Sequence, residues 1–480
     1  MHPSHTHKAS PAGEPLLLMV SESSSSLKRK RNDGSAGPSV SGAVFNVSTS
    51  IVGAGIMSIP AAMRVLGVIP CVLLIAAVAA LANSSVEFLL RYTRCSGGSY
   101  AGVMGDAFGR AGAVVLNVCV VFTTMGTLIV YLIIIGDVMS GSAVGKDAHV
   151  GGAAGGLARA LAGDDGEAQL RPAAVRLPAW CLARAARLAA CRGLARALAG
   201  EAADGEAPTR LAATAGDSLR YTSAVSILLA VVFIIISLGI AVYTIFTGTV
   251  NMPRMFPDFS RLSSPFELFT AVPVIVVAFT FHFNVHPIRA ELKSSSDMKA
   301  AVRISLVLCS AIYVLVGFFG FLLFGEATMA DVLVNFDRSS GAGVPQALND
   351  LARLSYALHL VLVFPLLNFS LRINVDELLF QGKRSPLATD TPRFMFLTAA
   401  LMVLLYALAI VIPSIWTLIQ YGGSVFPVSL SLIFPGAIVL RDIDGTAKKK
   451  DKAVALTMIM LAVISSSIAI TANIMSSNRN

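Results

Sequence analysis

Two groups of polar residues lie inside long apolar segments of this chain. The first group is Asn46, Ser48, Thr49 and Ser50, directly ahead of the segment 52–56, which carries two glycines. Hydrogen-bonding groups are costly in hydrocarbon, so their presence there predicts a functional site. A glycine-rich helix unwinds easily, and unwound backbone at mid-membrane is tolerated where it lines a cavity. The amino-terminal ends of the half-helices at such a break would direct partial positive charge toward an anion such as a carboxylate. The alternative is close helix packing through small residues.

The second group is the aromatic and polar run 279–286, which lies between two prolines. His282 and His286 are spaced i, i+4 and would share one helical face. For His282 two interpretations stay open: a substrate or ion-coupling role, and a structurally hydrogen-bonded imidazole. For His286, and for His359 in a later apolar segment, the structural interpretation is favoured.

Enzyme chemistry has little support in these residues. His282-x-x-x-His286 could be one metal-binding box of a membrane desaturase, but diiron chemistry needs several boxes, and only three histidines fall in apolar segments. The chain has no HExxH motif, no Gly-x-Ser-x-Gly motif and no pair of intramembrane aspartates. Its six cysteines are scattered without a CxxC pair. We therefore predict a protein that is not an enzyme and that holds no metal and no cofactor.

The composition shows which kind of fold must hold these polar groups in position. Of 480 residues, 55% are hydrophobic and 14% charged, and the mean hydropathy is +0.73. Soluble domains are less apolar and carry about 25% charged residues. A polytopic all-α membrane protein in contact with the lipid bilayer is therefore expected. The net charge of +9 is attributed to basic cytoplasmic loops rather than to a nucleic-acid partner.

Apolar segments of about 20 residues match the thickness of a bilayer core. Ten are visible, and we assign spans 1–3 to residues 42–140 and the later spans to 223–475. Residues 1–41 are expected to form a disordered cytoplasmic tail and 476–480 a short terminal tail. The ten spans are expected at about 42–63, 69–90, 112–136, 223–249, 268–288, 304–325, 354–377, 394–412, 415–440 and 453–473.

Lysine and arginine residues set the expected orientation. The amino-terminal tail and the loops 289–303, 372–393 and 441–452 are basic, so we place them in the cytoplasm. Counting three spans from the tail puts residue 141 on the other side, whereas the basic loops put residue 222 in the cytoplasm. An odd number of crossings is therefore required between these two residues.

The segment 141–222 offers no clean apolar span for that crossing. Residues 151–220 contain 23 Ala and 10 Gly and no Ile, Phe, Met or Tyr. Alanine favours a helix around 172–200, but its arginines resist burial in lipid, so we expect this helix outside the bundle. We interpret 141–222 as an atypical Ala/Gly/Arg-rich segment in place of a loop and a fourth span. We predict that the transcript encodes a conventional apolar span here, in another frame or exon.

The position of the two interrupted spans favours a transporter. Interrupted spans at corresponding positions of two halves point to the binding site of an inverted-repeat transporter. In a five-plus-five repeat these are spans one and six. The span that carries His282 is the fifth visible one, and it becomes the sixth if a span belongs between 141 and 222.

The run 41–60, SGAVFNVSTSIVGAGIMSIP, resembles the first span of the amino acid/auxin permease family. The resemblance is specific to the plant vacuolar amino-acid transporter branch, which is related to the sodium-coupled neutral amino-acid transporters. It covers about 41–140 and 217–475. The other runs that fit this branch are 279–287 (FTFHFNVHP), 334–337 (VNFD) and 364–372 (FPLLNFSLR).

The resemblance implies a LeuT-like fold, a five-plus-five inverted repeat with one extra span and eleven in all. It also implies secondary active transport of amino acids by alternating access, with a vacuolar or another membrane as its location. The runner-up function is a non-transporting nutrient sensor or an inactive paralogue. Neither the amino acid carried nor the oligomeric state follows from the sequence.

The same resemblance assigns the site residues. In the sodium-coupled relatives the eighth span adds a hydroxyl to an ion site, but the stretch 359–365 has none here and the nearest is Ser370. Proton coupling is therefore expected rather than sodium coupling. The substrate-binding residues implied are Val52, Gly53, Ala54, Gly55, Ile56, Phe279, Thr280 and His282, and the ion-coupling candidates are Asn46, Ser50 and His282.

Overall fold

A computed structural model describes most of the chain from Val40 to Ser477, and the described part is almost entirely helical, without β-strands. Within it, nine helices are long and apolar enough to cross a membrane, and the bent pair Val40–Ile51 and Gly55–Leu66 makes a tenth span. The expected all-α polytopic fold is confirmed. The described residues are 40–93, 99–139, 207–248, 252–260, 265–290, 292, 295–338, 344, 346–380, 390–412, 414–443 and 445–477.

Each of the ten expected spans corresponds to one span of the structure. The helix of the fourth visible span begins at Ala207 rather than near 223, because the residues ahead of it include good helix formers. The helix expected around 172–200 lies outside the described residues, as does the amino-terminal tail up to residue 39. The unbroken spans are Val68–Tyr92, Tyr100–Val138, Val225–Phe246, Pro265–Ala290, Ser296–Ala327, Ala347–Leu379, Pro392–Val411, Ile415–Arg441 and Lys449–Met475.

Two of the spans are built from separate short helices. The first span and the span that carries His282 are each interrupted by non-helical residues and a short 3-10 helix. A further span is interrupted by a π-helical turn, Ser429–Ile433. The α-helices are α1 Val40–Ile51, α2 Ile59–Leu66, α3 Val68–Tyr92, α4 Tyr100–Met139, α5 Ala207–Phe246, α6 Ala271–Ala278, α7 Val285–Ala290, α8 Ser295–Phe324, α9 Val332–Arg338, α10 Gln346–Leu379, α11 Thr391–Val411, α12 Ile415–Val428, α13 Phe434–Arg441 and α14 Lys449–Ser477.

The broken helices are enclosed by long unbroken ones. α8 packs along α1 and α2, while α12 packs along α6. α10 packs between α4 and α5 and closes the other side of the bundle. The apolar faces that remain exposed on α5, α11 and α14 carry large aliphatic and aromatic side chains, as lipid-facing helices do.

Gly67 makes the tight turn between the first two spans. Its φ of +78° is in the region that glycine adopts without strain. A Cβ at this position would lie 2.6 Å from the backbone of Phe256, so a larger residue would displace the loop 252–260. That loop is also fixed by hydrogen bonds from Val68 N–H to the Arg254 carbonyl and from Ile69 N–H to the Met255 carbonyl, both 3.0 Å.

Ion pairs define the two ends of the bundle. At one end Arg254 donates to Glu326 at 2.6 Å and to the Arg64 carbonyl at 2.9 Å. We call this end of the bundle the Asp137 end, because Asp137 of α4 interacts there with Arg353 of α10. At the opposite end, the Arg91 end, Arg91 of α3 is paired with Asp451 of α14 at 2.6 Å.

The direction of α5 follows from its contacts with α10. Ser226 lies against His359, and Phe233 lies 5.1 Å from Tyr356 between ring centroids, so the two helices are antiparallel. α10 starts at the Asp137 end, and α5 therefore ends there. Consequently Met139, which follows Asp137, and Val225 lie at opposite ends of the bundle.

Arg372 is placed differently from the expectation that it belongs to the basic loop 372–393. It is buried within α10, where its Nη1 donates to Thr398 Oγ1 at 2.6 Å. Its guanidinium carbon also lies 3.7 Å from the ring centroid of Phe394. α10 continues beyond the end of its apolar residues, because the faces of aromatic rings stabilise the buried guanidinium of Arg372.

Candidate functional site

The first break lies between α1 and α2. Helix α1 ends at Ile51, Gly53 has an extended backbone (φ −147°, ψ −157°), and a 3-10 helix covers Ala54–Ser58. The bond from Ile56 N–H to the Gly53 carbonyl, 3.2 Å, is the first of that 3-10 helix. The N–H groups ahead of it have no partner within the helix and point their positive charge outward. The unwinding expected at the two glycines is thus present.

The second break lies between α6 and α7. Helix α6 ends at Ala278, and Phe279–Phe281 leave the helical path before the 3-10 helix His282–Asn284 begins. Phe279 N–H donates to the carbonyls of Ile275 and Val276, which closes the last turn of α6. The carbonyls that end this helix carry its partial negative charge and can accept from a cation or an N–H donor.

The two breaks are in direct contact. A Cβ on Gly55 would lie 2.9 Å from Ala278 Cα and 3.0 Å from Ala278 Cβ, so only glycine allows this approach. The predicted residues Val52, Gly53 and Gly55 are partly accessible and Ile56 is buried, while Ala54 contributes its backbone to the 3-10 helix. The structure therefore brings the predicted residues of the first span next to the break of the span that carries His282.

Tyrosine hydroxyls from three helices surround the first break. Tyr313 of α8 has its hydroxyl 2.8 Å from both the Ile51 carbonyl and the Ala278 carbonyl. Tyr356 of α10 donates to the Gly53 carbonyl at 2.9 Å. Tyr131 of α4 comes close enough that a Cβ on Gly53 would lie 3.1 Å from its hydroxyl.

Sequence reasoning missed these tyrosines. A tyrosine inside an apolar span is a sequence signal for such a residue, because a buried Tyr hydroxyl usually has a hydrogen-bond partner. The stretch 359–365 has no hydroxyl, whereas Tyr356 lies one turn earlier in the same helix. The absence of a hydroxyl from that stretch therefore does not mean that α10 supplies none to the break.

Phe279 and Thr280 take separate roles at the second break. Phe279 is buried, with its ring edge-on to Tyr313 at 5.1 Å between centroids. Thr280 donates to the Val276 carbonyl at 2.7 Å and accepts from Ser431, whose Oγ is 3.1 Å away. Ser431 belongs to the π-helical turn, a feature that often marks functional sites in helices.

The π-helical turn is fixed by two donors from neighbouring spans. Tyr100 donates to the Leu430 carbonyl at 2.8 Å, and Ser85 donates to the Ser431 carbonyl at 2.6 Å. The turn therefore links α3 and α4 to Thr280. No sequence pattern indicated it, because the residues Ser429–Ile433 resemble any other apolar helical stretch.

His282 is fully buried, with 0% of its surface exposed. Neither ring nitrogen makes a hydrogen bond of good geometry within the described residues. The backbone of Ala82 faces the ring, and Phe281 lies 5.1 Å from it between centroids. Both interpretations of His282, the substrate or ion-coupling role and the structurally bonded imidazole, therefore stay predictions.

The other two membrane histidines are hydrogen-bonded between helices. Thr93 donates to the Leu89 carbonyl and so accepts from His286 Nε2 at 2.9 Å. His359 Nδ1 lies 2.7 Å from the Ser226 carbonyl, which assigns the hydrogen to this nitrogen. Both contacts hold neighbouring helices together, as the structural interpretation expects.

The ion-coupling candidates Asn46 and Ser50 lie on α1, before the break. Both are partly buried, and Ser50 donates its hydroxyl hydrogen to the Asn46 carbonyl at 2.8 Å. Thr49 donates to the same carbonyl at 3.0 Å. These bonds run along α1 and leave the hydroxyl oxygens of Thr49 and Ser50 with the capacity to accept from a donor or bind a cation.

The short helix α9 covers the first break at the Asp137 end. The Asn335 side chain accepts from Met329 N–H at 2.7 Å and donates to the Ala327 carbonyl at 2.8 Å. Ser58, at the end of the 3-10 helix, donates to the Ala330 carbonyl at 2.8 Å. α9 is thus tied to the break that it covers, and Asn335 of the family motif is one of its anchors.

Burial and the nearby Asp137 raise the pKa of Asp331, at the start of α9, to about 7, while the Leu333 N–H and Arg353 act in the opposite direction. The sequence reasoning found no pair of intramembrane aspartates. Asp331 lies in a loop outside the spans, and the structure brings it close enough to Asp137 of α4 for the two charges to interact.

The combined breaks can hold a small zwitterion. The N–H groups of Gly53, Ala54 and Gly55, which precede the first bond of the 3-10 helix, can bind a carboxylate. The carbonyls of Ile51 and Ala278 can accept from an ammonium group. Among the described residues there is no group of three His, Cys, Asp or Glu side chains that could hold a metal ion.

Comparison with known proteins gives consistent matches. The chain matches the family described as transmembrane amino acid transporter protein over residues 37–145 and 213–476. It is 46% identical to amino acid transporter AVT6C of Arabidopsis thaliana over 92% of this chain and 94% of that protein. It is 44% identical to amino acid transporter AVT6D of the same plant over 97% of this chain and 98% of that protein. It is 26% identical to the sodium-coupled neutral amino acid symporter 2 of Danio rerio over 40% of this chain and 37% of that protein.

Proposed function

The chain belongs to the transmembrane amino acid transporter protein family, and on this premise we propose that it is a secondary active transporter of amino acids that works by alternating access and is coupled to protons. The named relatives in Arabidopsis thaliana are amino acid transporters. The substrate-binding residues we propose are those of the two breaks: Val52, Gly53, Ala54, Gly55, Ile56, Phe279, Thr280 and His282.

The contact between Gly55 and Ala278 is the observation that carries this proposal. It places the unwound N–H groups of one span beside the helix-ending carbonyls of another, inside the bundle. An amino acid presents a carboxylate and an ammonium group a few ångströms apart, and this pair of backbone ends matches that charge pattern.

A LeuT-like inverted repeat is the proposed basis of alternating access. Breaks in the first span and in the span that carries His282 would correspond in the two halves if one further span lies between 141 and 222. In this arrangement the Asp137 end is extracytoplasmic, and the Arg91 end and the amino terminus are cytoplasmic.

Proton coupling is proposed through His282, with Asn46 and Ser50 as further ion-coupling candidates. The buried imidazole of His282 has no competing hydrogen bond of good geometry, and it lies beside the second break. An ionised imidazole is costly without water or a partner, so proton binding there would need the site to open. The proposed location is the vacuolar membrane.

Transport by the purified protein tests the proposal. The protein in proteoliposomes should accumulate a radiolabelled amino-acid mixture when a pH gradient is imposed, and should do so without sodium. Because one pH unit is worth a factor of ten in an equilibrium, one proton per substrate allows about tenfold accumulation per unit of gradient. Binding without any transport would instead favour a nutrient sensor or an inactive paralogue.

A further inference from the structure

Asp331 is a buried carboxyl group that the proposed binding site does not use. It lies directly before α9, outside the membrane spans, and only 4% of its surface is exposed. Its Oδ1 accepts from Leu333 N–H at 3.0 Å, while Oδ2 has no hydrogen-bond partner among the described residues. A buried carboxylate oxygen without a hydrogen-bond partner is costly in its charged form, so the carboxyl group favours binding a proton.

The charged and titratable groups that face Asp331 come from two neighbouring helices. α4 brings Asp137, and α10 brings Arg353 and the phenol of Tyr356. The other elements that pack here, the 3-10 helix Ala54–Ser58 and the span Val225–Phe246, contain no charged residue. Two carboxylates therefore interact with one guanidinium, and the three groups together carry one net negative charge. One added proton neutralises this charge.

Two groups near Asp331 are hydrogen-bonded to the first break. Tyr356, which feels the charge of Asp331, donates its hydroxyl to the Gly53 carbonyl at 2.9 Å. The carbonyl of Ala330, the preceding residue, accepts from Ser58 at the other end of the break. A change in charge at Asp331 thus acts on both ends of the unwound segment and on the start of α9.

We propose that Asp331 is the residue that takes up the coupling proton at the Asp137 end, and that its protonation favours closure of α9 over the first break. This inference rests on the proposed proton-coupled transport. A proton from water on that side forms the O–H bond at Oδ2, and the cluster of Asp137, Asp331 and Arg353 goes from one net negative charge to none. On release the Oδ2–H bond breaks and the proton passes through water in the opened site to His282 beside the second break, which gives it to water on the Arg91 side.

The test compares net transport with exchange in proteoliposomes that hold the full chain. Wild-type protein should accumulate a radiolabelled amino-acid mixture in a pH gradient. Asp331→Asn resembles the protonated carboxyl group and cannot use the pH gradient. The ratio of internal to external amino acid reached by this variant should therefore be about one. Exchange of labelled for unlabelled amino acids by this variant should vary less with pH than exchange by the wild type, because only the proton binding proposed for His282 remains. Asp350→Asn removes an exposed carboxylate near the start of α10 and is the matched control, which should accumulate like the wild type.

The outcomes separate this inference from the proposed function. Wild-type protein that shows no accumulation in a pH gradient overturns both. If the wild type accumulates amino acids and Asp331→Asn does so equally, only the role of Asp331 is overturned. If Asp331→Asn is not recovered as a folded protein, Asp331→Glu keeps a titratable group and should move the midpoint of the pH profile of exchange. An identical midpoint in that variant would also overturn the role of Asp331.

Discussion

Gly55 packs directly on Ala278, so closely that a Cβ on the glycine would lie 2.9 Å from Ala278 Cα. This single contact joins the two broken spans, which are separated by more than 200 residues in the sequence. It is therefore the position at which the geometry of the proposed amino-acid site is most sensitive to side-chain size.

Substitution of Gly55 should abolish transport without preventing membrane insertion. Gly55→Val adds a β-branched side chain where Ala278 leaves no room, and Gly55→Ala adds a smaller clash of the same kind. Amino-acid uptake in proteoliposomes and recovery of monodisperse protein measure the two effects. Gly126→Ala is the control, because a Cβ there meets nothing within 4 Å. Normal uptake by correctly inserted Gly55→Val protein would contradict the assignment of the pocket.

Tyr313→Phe should lower both stability and transport. It removes the hydroxyl that lies 2.8 Å from the Ile51 and Ala278 carbonyls but keeps the ring against Phe279. Leaving a buried acceptor without its partner costs about 1–3 kcal/mol. Thermal unfolding in detergent, alongside uptake, measures the effect. Tyr243→Phe, at an exposed position, serves as control and should unfold like the wild type; equal stability of the two variants would refute a role for the Tyr313 hydroxyl.

His282→Gln should remove accumulation driven by a pH gradient, because glutamine cannot exchange a proton. His359→Gln should instead reduce thermal stability, since His359 holds α10 to α5 through Ser226. Uptake with and without a pH gradient, together with unfolding temperatures, distinguishes the two histidines. An unaltered pH dependence of transport in His282→Gln would return His282 to a structural role.

Protein stability should fall as the pH rises toward neutrality, in part because of Asp331. Its pKa is raised from 3.8 to about 7 in the folded chain, so the folded state holds a proton that the unfolded state has already lost. The resulting stabilisation is complete below the unfolded pKa and disappears as the pH passes the folded pKa. The difference in unfolding temperature between wild type and Asp331→Asn, followed from acid to neutral pH, measures it. A difference that does not change with pH would contradict the raised pKa.

The transcript should encode a conventional apolar span within 141–222. Met139 and Val225 lie at opposite ends of the bundle, which agrees with the odd number of crossings that the basic loops predict between 141 and 222. The family match omits 146–212, although the match to AVT6D covers nearly the full length of both chains, which favours replacement of a span over insertion of an extra segment. Sequencing the full-length transcript decides the question. A message that agrees with the printed 141–222, together with robust transport by that protein, would refute the prediction.

The spans and their breaks could be predicted from sequence because their causes are local. Apolar length sets a span, and glycines such as Gly53 and Gly55 set where a helix unwinds. The partners of the breaks could not be predicted in the same way. Tyr313 and Tyr356 are ordinary residues of apolar helices, and only the packing of α8 and α10 shows which carbonyls their hydroxyls reach.

Asp331 was missed for a different reason. An aspartate in a loop between spans is expected to be solvated, and its burial depends on how α9 folds back against α4 and α10. The π-helical turn at Ser431 likewise depends on donors from two other spans, Ser85 and Tyr100. Both features arise from contacts between residues far apart in the sequence, which residue type and spacing do not encode.

A phenol has one hydrogen to give, whereas Tyr313 has two carbonyls at the same distance. Donating to Ile51 leaves Ala278 open to another donor, and the reverse assignment leaves Ile51 open. The two half-helices therefore compete for a single hydrogen, and rotation about one C–O bond decides which of them is satisfied. At the proposed binding site, an arriving ammonium group would take the carbonyl that the hydroxyl releases. The pocket can thus exchange an internal donor for an external one without first breaking any bond of the helical backbone.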